Sequence, residues 1–336
     1  MVCTRMVRLG AVAALAALPT AALGQLYGTS GGQNGGGDAG ALYRFDADTG
    51  AYVPGSGIEV VIPGVGVGGV TGLAIDPTSD VAYAVVFDVV GNDWLLATLD
   101  LATGAGLEIG SLGDEFAAIT FRANGQLYGV TSDDALVRET LYRISKLDAS
   151  KALATGLGNG DGGEALAYDS LSDNFYHWSG DTQVVYERIQ PDPPYGITSI
   201  PISGSPSGET VGAVWDGCFD QFIGSSVNAS FNNWLRSGLV TAPFGTNPDA
   251  IRGLALVGGN GCNVDLGIAL DAVPIAPVPG ATVTLTVIVA NDGPARAIAP
   301  RVTFTLPANI TSIVAPGCGV GMNGLLGCDL PKLYRG

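Results

Sequence analysis

One short apolar pattern recurs five times along this chain, and no other feature restricts its fold as strongly. It reads Gly72-Leu73-Ala74-Ile75-Asp76, Ala117-Ala118-Ile119-Thr120-Phe121, Ala165-Leu166-Ala167-Tyr168-Asp169, Gly212-Ala213-Val214-Trp215-Asp216 and Gly253-Leu254-Ala255-Leu256-Val257. The starts are about 45 residues apart, the length of one four-stranded propeller blade. A second apolar run follows each of the first four: Val81–Ala84, Gln126–Gly129, Asn174–Tyr176 and Gln221–Gly224. Turn-forming residues lie between, as in Asp76-Pro77-Thr78-Ser79-Asp80 and Arg122-Ala123-Asn124-Gly125. Third runs cover Leu95–Asp100, Leu141–Ser145 and Val184–Ile189. Asp100-Leu101-Ala102-Thr103-Gly104 repeats the form of Asp46-Ala47-Asp48-Thr49-Gly50, an Asp and then Thr-Gly at the end of a strand.

The two ends of the array complement each other. Leu26-Tyr27-Gly28 matches the second-strand sequence Leu127-Tyr128-Gly129 but has no first strand before it, while Gly253–Val257 is a first strand with nothing after it. Pairing the two closes a ring and removes the exposed sheet edges. The expected fold is therefore all-β, a propeller of about five blades closed by a late strand. Residues 190–210 and 227–250 are irregular enough to leave six blades open. The array over 26–257 resembles, loosely, the secreted bacterial propellers with LYxxDxxTG-type blades, a likeness that implies a fold and carries no active site. In this register Cys218 and Cys262 follow the first strands of neighbouring blades at the same end. They are expected to form a clasp on the closure, stabilising by about 3–4 kcal/mol; the competing reading is a buried free thiol at Cys218.

After Cys262 the pattern changes to clean period-two strands. Thr282–Val289 alternates Thr with apolar residues, Asn291-Asp292-Gly293-Pro294 is a turn, and Arg301–Pro307 alternates again. This is the pattern of a small β-sandwich. Asp265-Leu266-Gly267-Ile268, Pro279-Gly280-Ala281-Thr282-Val283-Thr284, Asn291-Asp292-Gly293-Pro294, Ala299–Pro307 and the late pair Cys318 and Cys328 together resemble the bacterial surface-protein repeat family called domain of unknown function eleven. The resemblance covers 263–331. It implies an Ig-like sandwich, a cell-surface or secreted setting, no catalytic role, and a Cys318–Cys328 bridge across a hairpin. Family members continue with strands after the second Cys, whereas Gly336 comes eight residues after it. The sandwich is therefore expected to be incomplete, through missing strands or a truncated chain.

The N-terminus carries a leader pattern: Arg5 and Arg8, the apolar run Leu9–Leu18, Pro19, then Ala22-Leu23-Gly24. Cleavage is expected between Gly24 and Gln25, giving a signal peptide at 1–24, a repeat domain at 25–262 and the sandwich at 263–336. The run is too short for a membrane span, so no stable membrane insertion is expected. An even number of cysteines, four, remains after cleavage, as expected of an exported chain. The 336 residues carry 15 Lys and Arg against 31 Asp and Glu, a net charge of −16. Without Arg5 and Arg8 the count is 13 against 31, or −18. Nucleic acid and anionic membranes are thereby excluded as partners.

No catalytic motif stands out. The glycine-rich stretches Gly31–Gly40 and Gly64–Gly69 lack the Lys-Ser/Thr of a phosphate loop. His177 is the sole histidine and lies in an aromatic strand, where packing is the expected role. Carboxylates recur just before the first strands, at Glu115, Glu164, Glu209 and Asp249, and form a candidate acidic collar at one mouth of the channel for Ca²⁺ or a cationic ligand. The competing reading is the scattered loop charge of an acidic protein. These features suggest an exported, non-catalytic binding or scaffold protein whose partner is an extracellular protein or glycan. The alternative is a glycosidase using Glu164 and Glu209.

Overall fold

The computed structural model describes residues 3–9, 25–31, 40–158, 164–180, 185–257, 264–274, 278, 280–291, 297, 300–305, 314–320, 325–331 and 333. They form strands and no helix, in two compact units: Gln25–Asn260, and Met1–Gly24 with Gly261–Gly336.

In chain order, β1 is Cys3–Leu9, followed by β2 (Gln25–Ser30), β3 (Ala41–Asp46) and β4 (Ile58–Glu59). Next come β5 (Val67–Ile75), β6 (Ala82–Asp88), β7 (Asp93–Leu99) and β8 (Gly106–Ser111). The third set is β9 (Phe116–Phe121), β10 (Leu127–Thr131), β11 (Thr140–Ile144) and β12 (Lys151–Gly156). The fourth is β13 (Ala165–Asp169), β14 (Asn174–Ser179), β15 (Val185–Ile189) and β16 (Ile197–Ser199). Then follow β17 (Thr210–Asp216), β18 (Gln221–Ser226), β19 (Ser230–Trp234) and β20 (Ile251–Leu256). Each run from β5 to β8, β9 to β12 and β13 to β16 is one antiparallel four-stranded sheet, and β17–β19 is a three-stranded one. The remaining sheet, β20-β2-β3-β4, joins the two ends of the array, with Leu26 opposite Leu256 and Gly28 opposite Leu254. Strands β16 and β19 lie in the stretches that looked irregular in sequence.

Five apolar clusters cement consecutive sheets. One joins the sheet of β2 to that of β5 through Tyr27, Leu42, Val70 and Leu73, and others follow around the array. The fifth brings Ile223 and Phe231 of the last sheet against Leu26 and Phe45 of the first. The sheets therefore close in a propeller-like ring. Small residues open the apolar pattern because neighbouring first strands approach closely. A Cβ on Gly212 would lie 2.2 Å from the Arg252 carbonyl oxygen, and one on Gly253 would lie 2.7 Å from the Leu73 nitrogen.

The recurrent aspartates organise the hairpins. Asp46 Oδ1 accepts from the Asp48 and Thr49 amides and the Thr49 hydroxyl, and Asp100 accepts from the Ala102 and Thr103 amides. Gly50 and Gly104 then take φ of 64° and 74°, the left-handed region that glycine enters without cost. At the ends of first strands, aspartates also hold cations from the next sheet. Lys146 reaches Asp76 at 2.5 Å while lying over the Phe121 ring, and Arg236 pairs with Asp169 while stacking 4.6 Å from the Trp215 ring.

In the second unit, β21 (Leu266–Val273) and β22 (Val283–Asn291) form a sheet in the order β1-β22-β21. The strands β23 (Arg301–Thr305), β24 (Cys318–Val320) and β25 (Leu325–Asp329) form another, in the order β23-β25-β24. Val287 and Val289 of β22 are buried with Val302, Leu330 and Leu333. Cys318 lies opposite Cys328 in the ladder and the two form a disulfide. Cys262 lies outside the described residues, as do Gly24 and the apolar core of the leader. Cys218 is half-buried, with its amide on Asp216 Oδ1.

The Asp169 carboxylate is buried. Burial alone would raise its pKa, but Arg236, Ser172 and the Leu171 amide outweigh that and hold it below the usual range. Replacing Arg236 with Met should strand this charge and cost about 3 kcal/mol, whereas Asp169→Asn together with Arg236→Met should cost less than the single change. Urea denaturation of the three variants checks this.

Candidate functional site

The residues just before the first strands lie where the notional collar would be, yet they do not form a ring of free carboxylates. Three of the four turn toward their own sheets. Asp249 Oδ2 accepts from the Ser30 hydroxyl at 2.5 Å. Glu164 Oε1 accepts from the Ser179 hydroxyl at 2.6 Å. Glu115 accepts from Ser132. The three hydroxyls stand at or just beyond the ends of second strands, so these carboxylates tie the entry of a first strand to the exit of its neighbour. Glu209 is half-buried, and its carbonyl takes the Val227 amide at 3.0 Å. Among the described residues, no three His, Cys, Asp or Glu side chains are grouped to hold a metal ion. Short hydroxyl ties hold Asp249, Glu164 and Glu115 each within its own sheet.

Glu164 has a second partner. It is fully buried, and its Oε2 meets Nε2 of His177, which is also fully buried. Nδ1 of His177 lies 3.6 Å from Oε2 of Glu187, itself 1% exposed. The strand registers explain the meeting. His177 faces Leu166 on β13 and Glu187 on β15, and Glu187 faces Ser199 on β16. At the matching place in other sheets stand Gly28, Ala84, Gly129 and Gly224, opposite Tyr43, Ala97, Tyr142 and Asn232. One sheet thus replaces the small residue and its neighbour with an imidazole and a carboxylate. Burial would lower the His177 pKa, but the charge and hydrogen bond of Glu164, aided by Glu187, push it up to about 9. Tyr176 and Trp178, the neighbours of His177 in β14, are buried as well but point to the opposite face of the sheet. The sequence reading missed the two carboxylate partners of His177. Pairing Ser179 with Val185 sets Glu187 opposite it.

The accessible chemistry lies at the same end of the unit, between the second and third sheets. A hollow of about 270 Å³ is lined by Phe87, Asp93, Trp94, Asp114, Glu115 and Asp134, among others. Phe87 and Trp94 stack with centroids 5.0 Å apart. Trp94 is half-buried, whereas Trp178, Trp215 and Trp234 are 0–2% exposed. Asp114 is committed to the wall, accepting the Leu136 and Val137 amides at 2.8 and 3.1 Å. The Glu115 carboxyl is raised by burial and further by Asp134 and Asp133, with Ser132 and Arg252 opposing. An aromatic platform beside carboxylates suits a ligand carrying a positive charge on an apolar stem. Of these residues, sequence reasoning found Glu115, with Asp114 beside it. Phe87 and Trp94 stand at the end of a second strand and the start of a third, a pairing visible only once the 88–93 turn is drawn.

No family model matches this chain, and no curated protein does. Solved structures do. A Xanthomonas campestris protein described as a gluconolactonase, XC5397, is 11% identical over 80% of this chain and 86% of its own, with a TM-score of 0.41. TolB from Acinetobacter baumannii is 11% identical over 79% of this chain and 63% of its own, with a TM-score of 0.42. At that level of likeness neither protein's activity passes to this one.

The buried imidazole makes a pH prediction. Its folded pKa is raised, so its contribution to stability is complete below the unfolded value of about 6.5 and is lost as pH rises through about 9. Urea midpoints of the parent should fall between pH 6.5 and 9.5, and those of His177→Gln should be flat across that window.

Proposed function

We propose that this chain is an exported, non-catalytic binding protein. It is built from a five-bladed β-propeller clasped by Cys218–Cys262 and an Ig-like sandwich of the family called domain of unknown function eleven, and it acts at the bacterial cell surface or in the extracellular space. The observation that carries this reading is the acidic, aromatic-floored hollow beside Glu115. Its chemistry is that of recognition: Trp94 and Phe87 offer a face, Glu115, Asp93 and Asp134 offer negative charge, and Asp114 holds the loop that walls it. The partner that fits is an extracellular protein presenting Lys or Arg, since the stem of either side chain covers the indole while its head meets the carboxylates.

The net charge of −18 after loss of the leader would speed the approach of such a cationic partner. Five sheets with cyclic apolar seams support the blade count, and the packing of β22 against the sheet β23-β25-β24 supports the sandwich. The Cys318–Cys328 bond fits an oxidising compartment, and the leader pattern supplies a route there. The glycosidase alternative loses its first candidate, because Glu164 is fully buried against His177 and out of reach of any substrate.

Trp94 supplies the readout. Titrating the protein with an oligolysine peptide should quench its fluorescence saturably. The double change Glu115→Gln and Asp134→Asn should weaken that binding about tenfold, or 1.4 kcal/mol, and salt should weaken it further. A neutral oligosaccharide that quenched Trp94 where oligolysine did not would replace the cationic partner with a glycan, and no response to either would remove the hollow as the binding site.

A further inference from the structure

In the second unit, β22 is the central strand of its sheet, with β21 on one side and β1 on the other. The β1 pairing is antiparallel and unbroken over seven residues, from Cys3 opposite Val289 to Leu9 opposite Val283. All of β1 falls within the leader proposed above, so export would strip the partner from that side of β22 and leave an open edge over Val283–Val289.

That edge is unlike the chain's other outer strands. In the repeat unit, β4 has two residues and β16 three, β8 carries Glu108, β12 begins at Lys151, and the uncharged β19 is covered by bridges from Val240 and Phe244. Short length and charge both discourage pairing with a foreign strand. The sequence of β22, Val-Thr-Leu-Thr-Val-Ile-Val-Ala-Asn, has no charge, no Pro and no Gly, and its ladders show no bulge on either side. Its β-branched residues favour strand pairing.

From this we infer that the mature protein self-associates through β22, a second copy taking the place of β1. The edge is self-complementary. A two-fold axis at Val287 sets Leu285 opposite Val289 of the other copy and Thr286 opposite Ile288. Val287 and Val289, which face the buried core, stay on the core side in both copies. The result is a continuous antiparallel sheet, β21-β22 joined to its symmetry mate, of the isologous kind that closes as a dimer. The leader, while present, keeps the chain monomeric. The inference rests on the proposed removal of residues 1–24, and the test separates the two.

The mature chain, residues 25–336, is made directly with its disulfides formed, beside the uncleaved full chain, and both are weighed by sedimentation equilibrium. The mature chain should double in mass with rising concentration, more readily at high salt because two copies each carrying −18 repel. The full chain should stay monomeric. Thr286→Lys with Ile288→Lys places like charges opposite each other across the two-fold and should abolish the dimer, as should Thr286→Glu with Ile288→Glu. Mixing the two variants should restore dimerisation, a rescue that mere unfolding would not give. A mature chain that stays monomeric, or a dimer indifferent to both variants, overturns the inference. Mass spectrometry of exported protein decides the leader separately: a mass starting at Met1 sinks the leader reading whatever the made-to-length chain does.

Discussion

The pairing of β2 with β20 is the constraint on which the repeat unit depends. The two ends of the array must come together before its first and last sheets are flanked on both sides. Each seam between sheets is a separate apolar cluster of ordinary size. The last, joining Ile223 and Phe231 to Leu26 and Phe45, exists only when the chain has come full circle. Fully burying such a side chain is worth about 1.5–3 kcal/mol, so losing one seam would cost more than a domain usually has in reserve. The cation ties reinforce the seams locally. Lys146 and Arg236 each cross from one sheet to an aspartate of the previous one, passing over an aromatic ring at the end of their own first strand. One arrangement thus recurs where Phe121 and Trp215 occupy the same place in the repeat.

Much of this was legible in the residues, and for physical reasons. The pattern of Gly72, Gly212 and Gly253 before apolar runs reports the close approach of neighbouring first strands, and Asp-x-x-Thr-Gly reports a hairpin whose aspartate caps its own turn. Both are local rules, and they placed first, second and third strands within a few residues. The paired strands β16 and β19 escaped because Ile197–Ser199 is three exposed residues with no alternation to read, and Ser230–Trp234 is interrupted by Asn232 and Asn233. The collar was legible as positions and illegible as chemistry. That four carboxylates precede first strands follows from spacing. That Asp249 finds Ser30, over 200 positions away in the chain, follows only from the closure of the ring.

The buried trio of Glu164, His177 and Glu187 runs against the economy of the rest of the unit. The neighbouring sheets solve the same place with a small residue, and apolar side chains close over two of the glycines, Ile251 and Phe45 at Gly28 and Ile144 and Phe116 at Gly129. That arrangement leaves no charge to desolvate. An imidazolium between two carboxylates recovers its desolvation cost only when all the partners are in place, so removing one is worse than never having had any. The trio therefore makes the fourth sheet specific: Leu166, His177, Glu187 and Ser199 line up in one register only, since a slip of one residue would turn the charges to the opposite face. The position His177 occupies, where four of five sheets hold Gly or Ala, is the one place in the repeat where a larger side chain signals a different internal chemistry.

The two units deal with sheet edges in opposite ways. The ring joins its ends by closure and blunts its outer strands by shortness, by charge or, at β19, by bridges from Val240 and Phe244 to Trp234 and Phe231. The sheet β1-β22-β21 would have neither device on one side of β22 once β1 is lost with the proposed leader. Its inner face is only partly covered: Val287 and Val289 are buried, but Ile268 and Leu270, opposite them on β21, are more than half exposed. A two-stranded sheet is marginal in water, and this one has its most β-prone strand on the side that β1 occupies. If the proposed loss of residues 1–24 takes β1 away, the nine-residue, uncharged β22 becomes an open edge, and the chain's capacity for association then lies in its second unit. The repeat unit's acidic hollow is then free to serve a different partner.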